Sequence, residues 1–389
     1  MVLTASLFNQ LLHHFPRTEF GLLVKETKAE RHARGFTCWT QFVAMLFCQL
    51  AEADSLRIIC IGLNCCLGKL KHLGISAAPN KSSLAYANQH RPAELFQKLF
   101  WRTLDRFRTQ SLLGPSQKPF RFKNKVLSLD STTISLCLSL FPWAQFKKVK
   151  GGIKAHIVMD HDDYMPSFIH FTPASDSDVR AAHRVPVRRG SIIAMDRAYI
   201  DYDLWAKWTT QGVFFVTRLR HDLSIEVVEK RSVPQNRHIL HDELVSLSSV
   251  QGKRECPFPL RRITVWNQQL QERIVLVTNH LHFGASTIAD IYRQRWQIEV
   301  FFKTLKQNLK VKTFVGTSEN ALLIQIWTAL IALLLLRWLH YLCKRNWSFS
   351  NLVSLLAMNL FIYRDLRDWL ADPASPPALT PRQGAFSWV

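Results

Sequence analysis

Two aspartates stand directly after apolar runs typical of strands. Asp130 follows VLSL and Asp196 follows SIIAM. Side chains that do chemistry in an α/β sheet gather where the strands end. The pattern therefore indicates that the two carboxylates converge at one functional site. The alternative for each aspartate alone is an ordinary loop acid or a helix N-cap.

A third acid, Glu299, lies on a helical stripe of mostly cationic groups. At about 100° per residue, one face of the helix beyond Ser286 carries Tyr292, Arg295, Glu299, Lys303, Lys306 and Lys310. The opposite face carries Ile291, Ile298, Phe301, Leu305 and Leu309, and is predicted to be buried. A solvated stripe with a Glu299–Lys303 pair is the alternative. A solvated stripe does not explain the tyrosine and arginine that precede Glu299. A surface that binds along the phosphate backbone of a nucleic acid does explain them.

The same segments resemble those of one enzyme family. The spacing Y-x2-R-x3-E-x6-K runs from Tyr292 to Lys306. The surrounding segments match in order: LDSTTISLCLSLFPWA at Asp130, MDRAYIDY at Asp196, YRQRWQIEVFFKTLK at Glu299 and the later GTSENALLIQIW. On these motifs most of the chain resembles DDE transposases of the insertion-sequence four family. One departure is Ala198, where many relatives carry glycine after Asp-Arg.

The resemblance implies an α/β fold: a ribonuclease-H-like catalytic core with a β-rich insertion, preceded by an all-helical N-terminal domain. It also implies an activity on double-stranded DNA. The enzyme would bind the terminal inverted repeats of its element, cleave the ends and join the 3′-hydroxyl groups to target DNA by cut-and-paste transposition. We expect a homodimer in the synaptic complex, because two DNA ends must be held together for concerted insertion.

The catalytic and metal-binding residues implied by the resemblance are Asp130, Asp196 and Glu299. Phosphodiester hydrolysis needs an activated nucleophile and a stabilised leaving oxygen, and two Mg²⁺ ions about 3.5–4 Å apart supply both. Three carboxylates packed together repel one another without cations. We therefore expect a two-Mg²⁺ site, with Mn²⁺ as a substitute. In the expected arrangement Asp130 bridges both ions, Asp196 binds one and Glu299 binds the other.

The DNA-binding residues expected from the helical stripe are Tyr292, Arg295, Lys303 and Lys306. An arginine can hold a phosphate with two parallel hydrogen bonds, whereas a lysine acts as a point charge. These groups would grip phosphates beside the scissile bond and fix its geometry.

Further DNA contacts are predicted outside the stripe. Arg218 and Arg220 follow a strand, and a strand-end charge in solvent is the alternative. Relatives release the transposon through a hairpin with a flipped base stacked on an aromatic side chain of the insertion. Trp266 is the candidate for that stacking, although a strand tryptophan is more often a core residue. The segment at 80–91 is a candidate recognition helix through Asn88, Gln89, His90 and Arg91.

Composition and charge agree with a nucleic-acid partner. The 389 residues carry 50 Lys and Arg against 29 Asp and Glu, a net charge of +21, and 48% are hydrophobic. The basic balance favours a polyanion, either nucleic acid or an acidic membrane face, and the apolar content excludes disorder as the main state. The eight cysteines show no zinc-finger spacing. We expect a reduced, cytoplasmic, nucleoid-associated bacterial protein.

The order of patterns predicts five segments. They are a helical DNA-binding domain at 1–120, the first part of the core at 121–219, a β-rich insertion at 220–285, the completed core at 286–345, and a C-terminal helix and tail at 346–389 that can dimerise. The long helix expected at about 286–310 carries Glu299. The apolar run at 321–336 is short of the roughly 20 residues of a membrane span, so we expect a buried core helix.

Two rival functions remain open from the sequence. One is a catalytically silent, transposase-derived DNA-binding protein, which the three acids argue against. The other is a basic membrane protein that uses the run at 321–343 as a span.

Overall fold

Two compact units make up the chain. The computed structural model describes residues 5–31, 33, 35–66, 70–114, 120–147, 150–219, 223–233, 238–269, 271–308, 314–343 and 347–374. Unit 1 comprises Met1–Gly114 with Thr304–Val389, and unit 2 comprises Pro115–Lys303. The sequence analysis assigned 286–345 to the completed core, whereas the structure groups the residues from Thr304 onward with the N-terminal helices.

Unit 1 is built from helices. They are α1 (Leu7–Leu12), α2 (Arg17–Glu26), α3 (Cys38–Leu50), α4 (Leu56–Asn64), α5 (Lys81–His90) and α6 (Glu94–Thr109), followed late in the chain by α12 (Glu319–Leu342), α13 (Phe349–Asn359) and α14 (Leu366–Ala371). Side-chain caps fix several helix starts. Ser55 accepts from Ile58 N, Asn80 from Ser83 N and Ser318 from Ala321 N.

Helix α12 is the core helix of unit 1. By length and composition its 24 residues pass for a membrane span, with a mean hydropathy of 2.1, but 89% of that apolar window is buried inside the protein. It packs against α3, α5 and α6. Asn320 near its start accepts from Ala93 N and donates to Asn88 O and Arg91 O. The core helix predicted from the sequence is therefore found, and other helices cover its apolar surface.

Helix α5 corrects part of the recognition-helix hypothesis. Asn88 is 1% exposed and accepts a hydrogen bond from Gln41. Arg91 is also buried, donating to Gln41 Oε1 and to Phe36 O. Side chains already bonded inside the helical unit are not available to base edges. Gln89 and His90 remain exposed.

Unit 2 contains the ten strands and five helices. The strands are β1 (Val126–Leu136), β2 (Gln145–Lys147), β3 (Lys150–Asp160), β4 (Met165–Pro173), β5 (Ile192–Met195), β6 (Phe214–Arg218), β7 (Ile225–Lys230), β8 (Ile239–Leu247), β9 (Leu260–Asn267) and β10 (Glu272–Thr278). The helices are α7 (Asp178–Ala182), α8 (Tyr202–Thr210), α9 (Val250–Glu255), α10 (Ala285–Gln294) and α11 (Trp296–Asn308), of which α11 extends past Lys303 into the range of unit 1.

One mixed sheet holds all these strands. The order is β2-β3-β1-β5-β6-β10-β9-β8-β7, and β4 also pairs with β3. Strands β1, β5 and β6 are parallel, while β3 is antiparallel to β1. The turn from α8 into β6 uses Gly212 at φ +68°, the left-handed conformation in which glycine meets no Cβ penalty. The α/β class predicted from the sequence is therefore found.

The strands predicted as a β insertion extend this same sheet. Strand β10 pairs antiparallel with β6, and β9, β8 and β7 follow in antiparallel order. Buried ion pairs fix their register: Arg261 donates to both oxygens of Asp242 at 2.7 and 2.6 Å. The long helix expected at 286–310 is divided into α10 and α11 at Arg295.

Candidate functional site

Three predicted site residues occupy neighbouring positions where the parallel pairing of strands β1, β5 and β6 ends. Leu129 of β1 is in register with Met195 of β5, which is in register with Thr217 of β6. The next residue on each strand path is Asp130, Asp196 or Arg218. Adjacent strands lie about 4.8 Å apart, so the two acids and the arginine are neighbours in space although 88 residues separate the first from the last.

Asp130, Asp196 and Arg218 lie on the same face of the sheet. Val126, Ala194 and Val216 pack in one buried cluster with Ile288 and Ile291 of α10. Side chains alternate between the two faces of a strand. Asp130 is four positions after Val126, Asp196 is two after Ala194, and Arg218 is two after Val216. All three therefore lie on the face of the sheet that α10 covers. This packing brings the end of α10 to the acids.

Arg295 connects Asp130 to the third acid. It lies between α10 and α11, where its backbone remains helical. Its Nη1 is 3.3 Å from Asp130 Oδ2, and its Nη2 is 2.7 Å from Glu299 Oε1. The guanidinium is also 5.7 Å from the ring centre of Tyr292. Four predicted residues thus form one group with Asp196 at its side.

Charge and burial shift the pKa values in this group. Burial raises the pKa of Asp130 to about 6, with Asp196 and Glu299 adding to the rise and Ser131 N and Arg295 opposing it. Burial raises the pKa of Tyr292 as well. Burial would lower the pKa of Arg295, but Tyr292, Glu299 and Asp130 together raise it. The three acids are therefore close enough for their charges to interact.

The structure also tests two ordinary explanations of the acids, which are helix capping and a solvated stripe with a Glu299–Lys303 pair. Asp196 occupies the N-cap position of the short 3₁₀ turn Arg197–Tyr199, yet its side chain makes no capping hydrogen bond. Asp130 lies within β1 rather than at a helix start. Among the residues that the structure describes, the recorded ion pair of Glu299 is with Arg295, four residues before it, and not with Lys303. Capping and a Glu299–Lys303 pair therefore do not explain this arrangement.

The remaining DNA-contact candidates are less closely grouped. Arg218 pairs with Glu272 at 3.3 Å and is close enough to Tyr292 for its charge to lower the pKa of that phenol. Lys303 is exposed on α11, and Lys306 is half-buried one turn further on. Arg220 and Lys310 lie outside the described residues.

Trp266 lies apart from the acids. It is half-buried near the end of β9, opposite Arg273. Ile263 and Val265 belong to the cluster on the acid-bearing face, so alternation places Trp266 on the other face of the sheet. Three strand spacings, about 14 Å, separate β9 from β5. The structure does not bring Trp266 together with the three acids.

By ligand type, three carboxylates suit a hard divalent cation. Burial raises the pKa of Asp130, the charges of Asp196 and Glu299 add to the rise, and a bound cation would lower that pKa. Within the described part of the chain, no group of three or more His, Cys, Asp or Glu side chains is arranged so that it could hold a metal ion. The guanidinium of Arg295 lies between the carboxylates of Asp130 and Glu299 and donates to both.

Sequence reasoning missed a second polar group behind the acids. It consists of Ser131, Lys154, His156, Asp178 and Tyr199, which come from strands β1 and β3 and from the segments after β4 and β5. Asp178 accepts from Ser131 Oγ at 2.8 Å. A serine in a strand and an aspartate in a turn carry no motif, so only the strand register could reveal their contact.

Comparison with known proteins identifies the family. The sequence model of the transposase DDE domain matches residues 121–335, and a domain of unknown function matches residues 4–76. "Putative transposase y4zB" of Sinorhizobium fredii is 30% identical over 323 residues, which is 80% of this chain and 87% of that protein. This chain belongs to the transposase DDE domain family.

Other relatives of this DDE-domain protein are also transposases by name. "Probable transposase for insertion sequence element IS5377" of Geobacillus stearothermophilus is 30% identical over 60% of this chain and 62% of that protein. A cryo-EM structure of the piggyBac transposase synaptic complex with hairpin DNA is similar over 94% of this chain and 82% of that chain, at 12% identity and a TM-score of 0.43.

Proposed function

We propose that this protein is a cut-and-paste DNA transposase. It binds the terminal inverted repeats of its insertion sequence, cleaves the DNA ends by metal-dependent phosphodiester hydrolysis and joins the 3′-hydroxyl ends to target DNA. The observation that carries the proposal is the register of Leu129 with Met195, which makes Asp130 and Asp196 neighbours. Arg295, 165 positions after Asp130, then links Asp130 to Glu299.

We propose that strands β4, β3, β1, β5 and β6, in this spatial order, form a ribonuclease-H-like core. The pairing of the strands supports this proposal: β3 is antiparallel to both β4 and β1, whereas β1, β5 and β6 are parallel to one another. Strands β7 to β10 act as the β-rich insertion at 220–285, and the helices of residues 1–120 act as the end-binding domain. The protein works as a homodimer in the synaptic complex and is located in the cytoplasm on the nucleoid.

Asp130, Asp196 and Glu299 are proposed to hold two Mg²⁺ ions, for which Mn²⁺ can substitute. Bound at these carboxylates, the ions would supply activation of the attacking oxygen and stabilisation of the leaving oxygen. The chain itself supplies orientation. Strand β1 and strand β5 hold two of the acids at fixed spacing, and the turn at Arg295 sets the position of Glu299 relative to them.

The cationic groups beside the acids are proposed to bind the DNA backbone. Arg295 presents a planar fork that matches a phosphate as well as it matches a carboxylate. Arg218 lies in register with the residue after Met195, so a phosphate at the acids would be within its reach. Tyr292, Lys303 and Lys306 extend this surface along α10 and α11. Trp266 stays a candidate for base stacking.

The experiment is a cleavage assay on DNA carrying the segments that flank the gene. Wild type and Glu299→Gln are compared in Mg²⁺ and in EDTA, with DNA binding measured in parallel. We expect both proteins to bind the DNA and only the wild type to cut it, and only when Mg²⁺ is present.

Glu229→Gln is the matched control for the cleavage assay. Glu229 is exposed on β7, so its substitution removes a carboxylate from the same unit without touching the site. We expect it to cleave like the wild type. If the wild type binds the DNA but does not cut it in Mg²⁺ or Mn²⁺, the catalytically silent DNA-binding protein is the correct description.

A further inference from the structure

A polar network lies behind the three acids, on the opposite face of strand β1. Ser131 follows Asp130, so its side chain points to the other side of the sheet. There it is in register with His156 of β3. Asp178, at the start of α7, and Tyr199, in the turn after Asp196, close over the same place. His156 is 0% and Tyr199 is 1% exposed, while the side chains of Lys154 and Asp178 are 13% and 23% exposed, so the network is largely buried.

Asp178 is the centre of this network. Its Oδ1 accepts from Ser131 Oγ at 2.8 Å and lies 3.3 Å from Lys154 Nζ. Lys154 also donates to Asp176 O at 2.8 Å, which fixes its position. His156 Nδ1 is 3.6 Å from the same oxygen, but burial lowers the pKa of His156 to about 4. The counter-charge of Asp178 at neutral pH is therefore Lys154.

Ser131 connects the two faces of the strand. Its backbone N–H donates to Asp130 Oδ1 at 2.8 Å, while its hydroxyl donates to Asp178. One residue thus binds a carboxylate on each side of the sheet. Tyr199 is close enough to sense the charges of Asp178, Asp130 and Asp196.

We infer that Asp178 is a positioning residue of the DDE site: by holding Ser131 it fixes the orientation of the Asp130 carboxylate. The inference rests on the proposed function, because it assumes that Asp130 binds metal ions. Partners that orient metal-binding carboxylates through hydrogen bonds alter metal affinity or activity by roughly 10- to 100-fold when they are removed. Asp178 makes such a contact through one intervening residue.

The test uses the full-length protein and two readouts. Mn²⁺ binding is measured by titration calorimetry without DNA, with Glu299→Gln to assign the heat to the site, and cleavage is measured against Mg²⁺ concentration. We expect Asp178→Ala and Ser131→Ala each to weaken ion binding about 10-fold. Asp178→Asn keeps an acceptor for Ser131 Oγ and should retain most of the affinity. The Asp178→Ala/Ser131→Ala double variant should be no weaker than Asp178→Ala, because both changes break one chain of contacts.

Asp201→Ala is the control for general loss of stability. Asp201 caps α8 through Leu204 N and pairs with His183, away from the acids. We expect it to lower the melting temperature without changing ion affinity. If Asp178→Ala binds the ion with wild-type affinity, the inference is wrong and the proposed function is unaffected. Wild-type affinity in Ser131→Ala has the same consequence. A wild type that neither binds Mn²⁺ at Glu299 nor cleaves DNA overturns the proposed function and the inference together.

Discussion

Arg295 bridges Asp130 and Glu299, with Nη1 3.3 Å from one carboxylate and Nη2 2.7 Å from the other. The side chain of Arg295 is 14% exposed and that of Asp130 18%, whereas that of Glu299 is 34% exposed, so the two ion pairs are partly shielded from water. The planar guanidinium offers a separate nitrogen to each carboxylate, whereas a lysine offers one ammonium group. The bridge explains why Asp130 and Glu299 can lie close together in the folded chain.

Removing the bridge should destabilise the protein in the absence of divalent ions. We expect Arg295→Gln to lower the free energy of unfolding by about 2 kcal/mol, between the roughly 0–1 kcal/mol of exposed pairs and the roughly 3–5 kcal/mol of buried ones. Saturating Mg²⁺ should reduce the difference, because a bound cation replaces the missing charge. Urea unfolding with and without Mg²⁺ measures both values.

Arg293→Gln provides the comparison for this measurement. Arg293 is on α10, two residues away, and its pair with Asp290 is exposed. We expect a change within about 0.5 kcal/mol in either buffer. An Arg295→Gln protein that is as stable as Arg293→Gln would show that the bridge contributes nothing.

The raised pKa of Asp130 predicts a pH-dependent stability. Its folded-state pKa is about 6 against an ordinary value of 3.8. Between these values the folded form binds more protons, so this group makes the protein less stable as pH rises. A shift of about 2 units corresponds to about 3 kcal/mol at most. Relative to wild type, Asp130→Asn should therefore gain up to about 3 kcal/mol between pH 4 and pH 7 without metal.

Unfolding curves at several pH values test this prediction. Most of the relative gain of Asp130→Asn should come between about pH 4 and pH 6. Asp203→Asn, at an exposed position in the first turn of α8, should show no comparable trend. A constant difference between Asp130→Asn and wild type across this range would contradict the prediction.

Arg218 should contribute one phosphate contact to DNA binding. It lies at the strand end beside Asp196 and pairs with Glu272 at the surface. We expect Arg218→Gln to weaken binding to all DNA sequences alike and to reduce the slope of log K against log salt by about 0.9. Arg254→Gln on α9, a 75% exposed side chain, should leave the slope unchanged. Equal slopes for Arg218→Gln and wild type would rule out the contact.

Cell fractionation should separate DNA binding from membrane insertion. Helix α12 is buried among the helices of unit 1, so its apolar surface is not free to meet lipid. We expect high salt to release the protein from the particulate fraction, because phosphate contacts weaken steeply with salt. Retention in the membrane fraction at high salt, with release only by detergent, would favour the membrane protein instead.

Local patterns in the sequence predicted much of the fold. Apolar runs such as VLSL and SIIAM form β1 and β5, and the apolar stretch from Ala321 forms the buried helix α12. These predictions hold because periodicity and apolar content are properties of short segments. A DDE transposase was likewise recognisable from the motifs, and the DDE domain and the relatives found by comparison confirm that assignment.

Other features depended on contacts between distant segments. The helix at 286–310 was expected to be continuous, but it is divided at Arg295, whose side chain reaches Asp130. The recognition hypothesis for Asn88 failed because Gln41, 47 residues earlier, takes its hydrogen bond. The contact between Ser131 and Asp178 joins residues 47 positions apart, on β1 and α7. Short-range chemistry fixes which residues are available, whereas strand pairing and helix packing decide which of them meet.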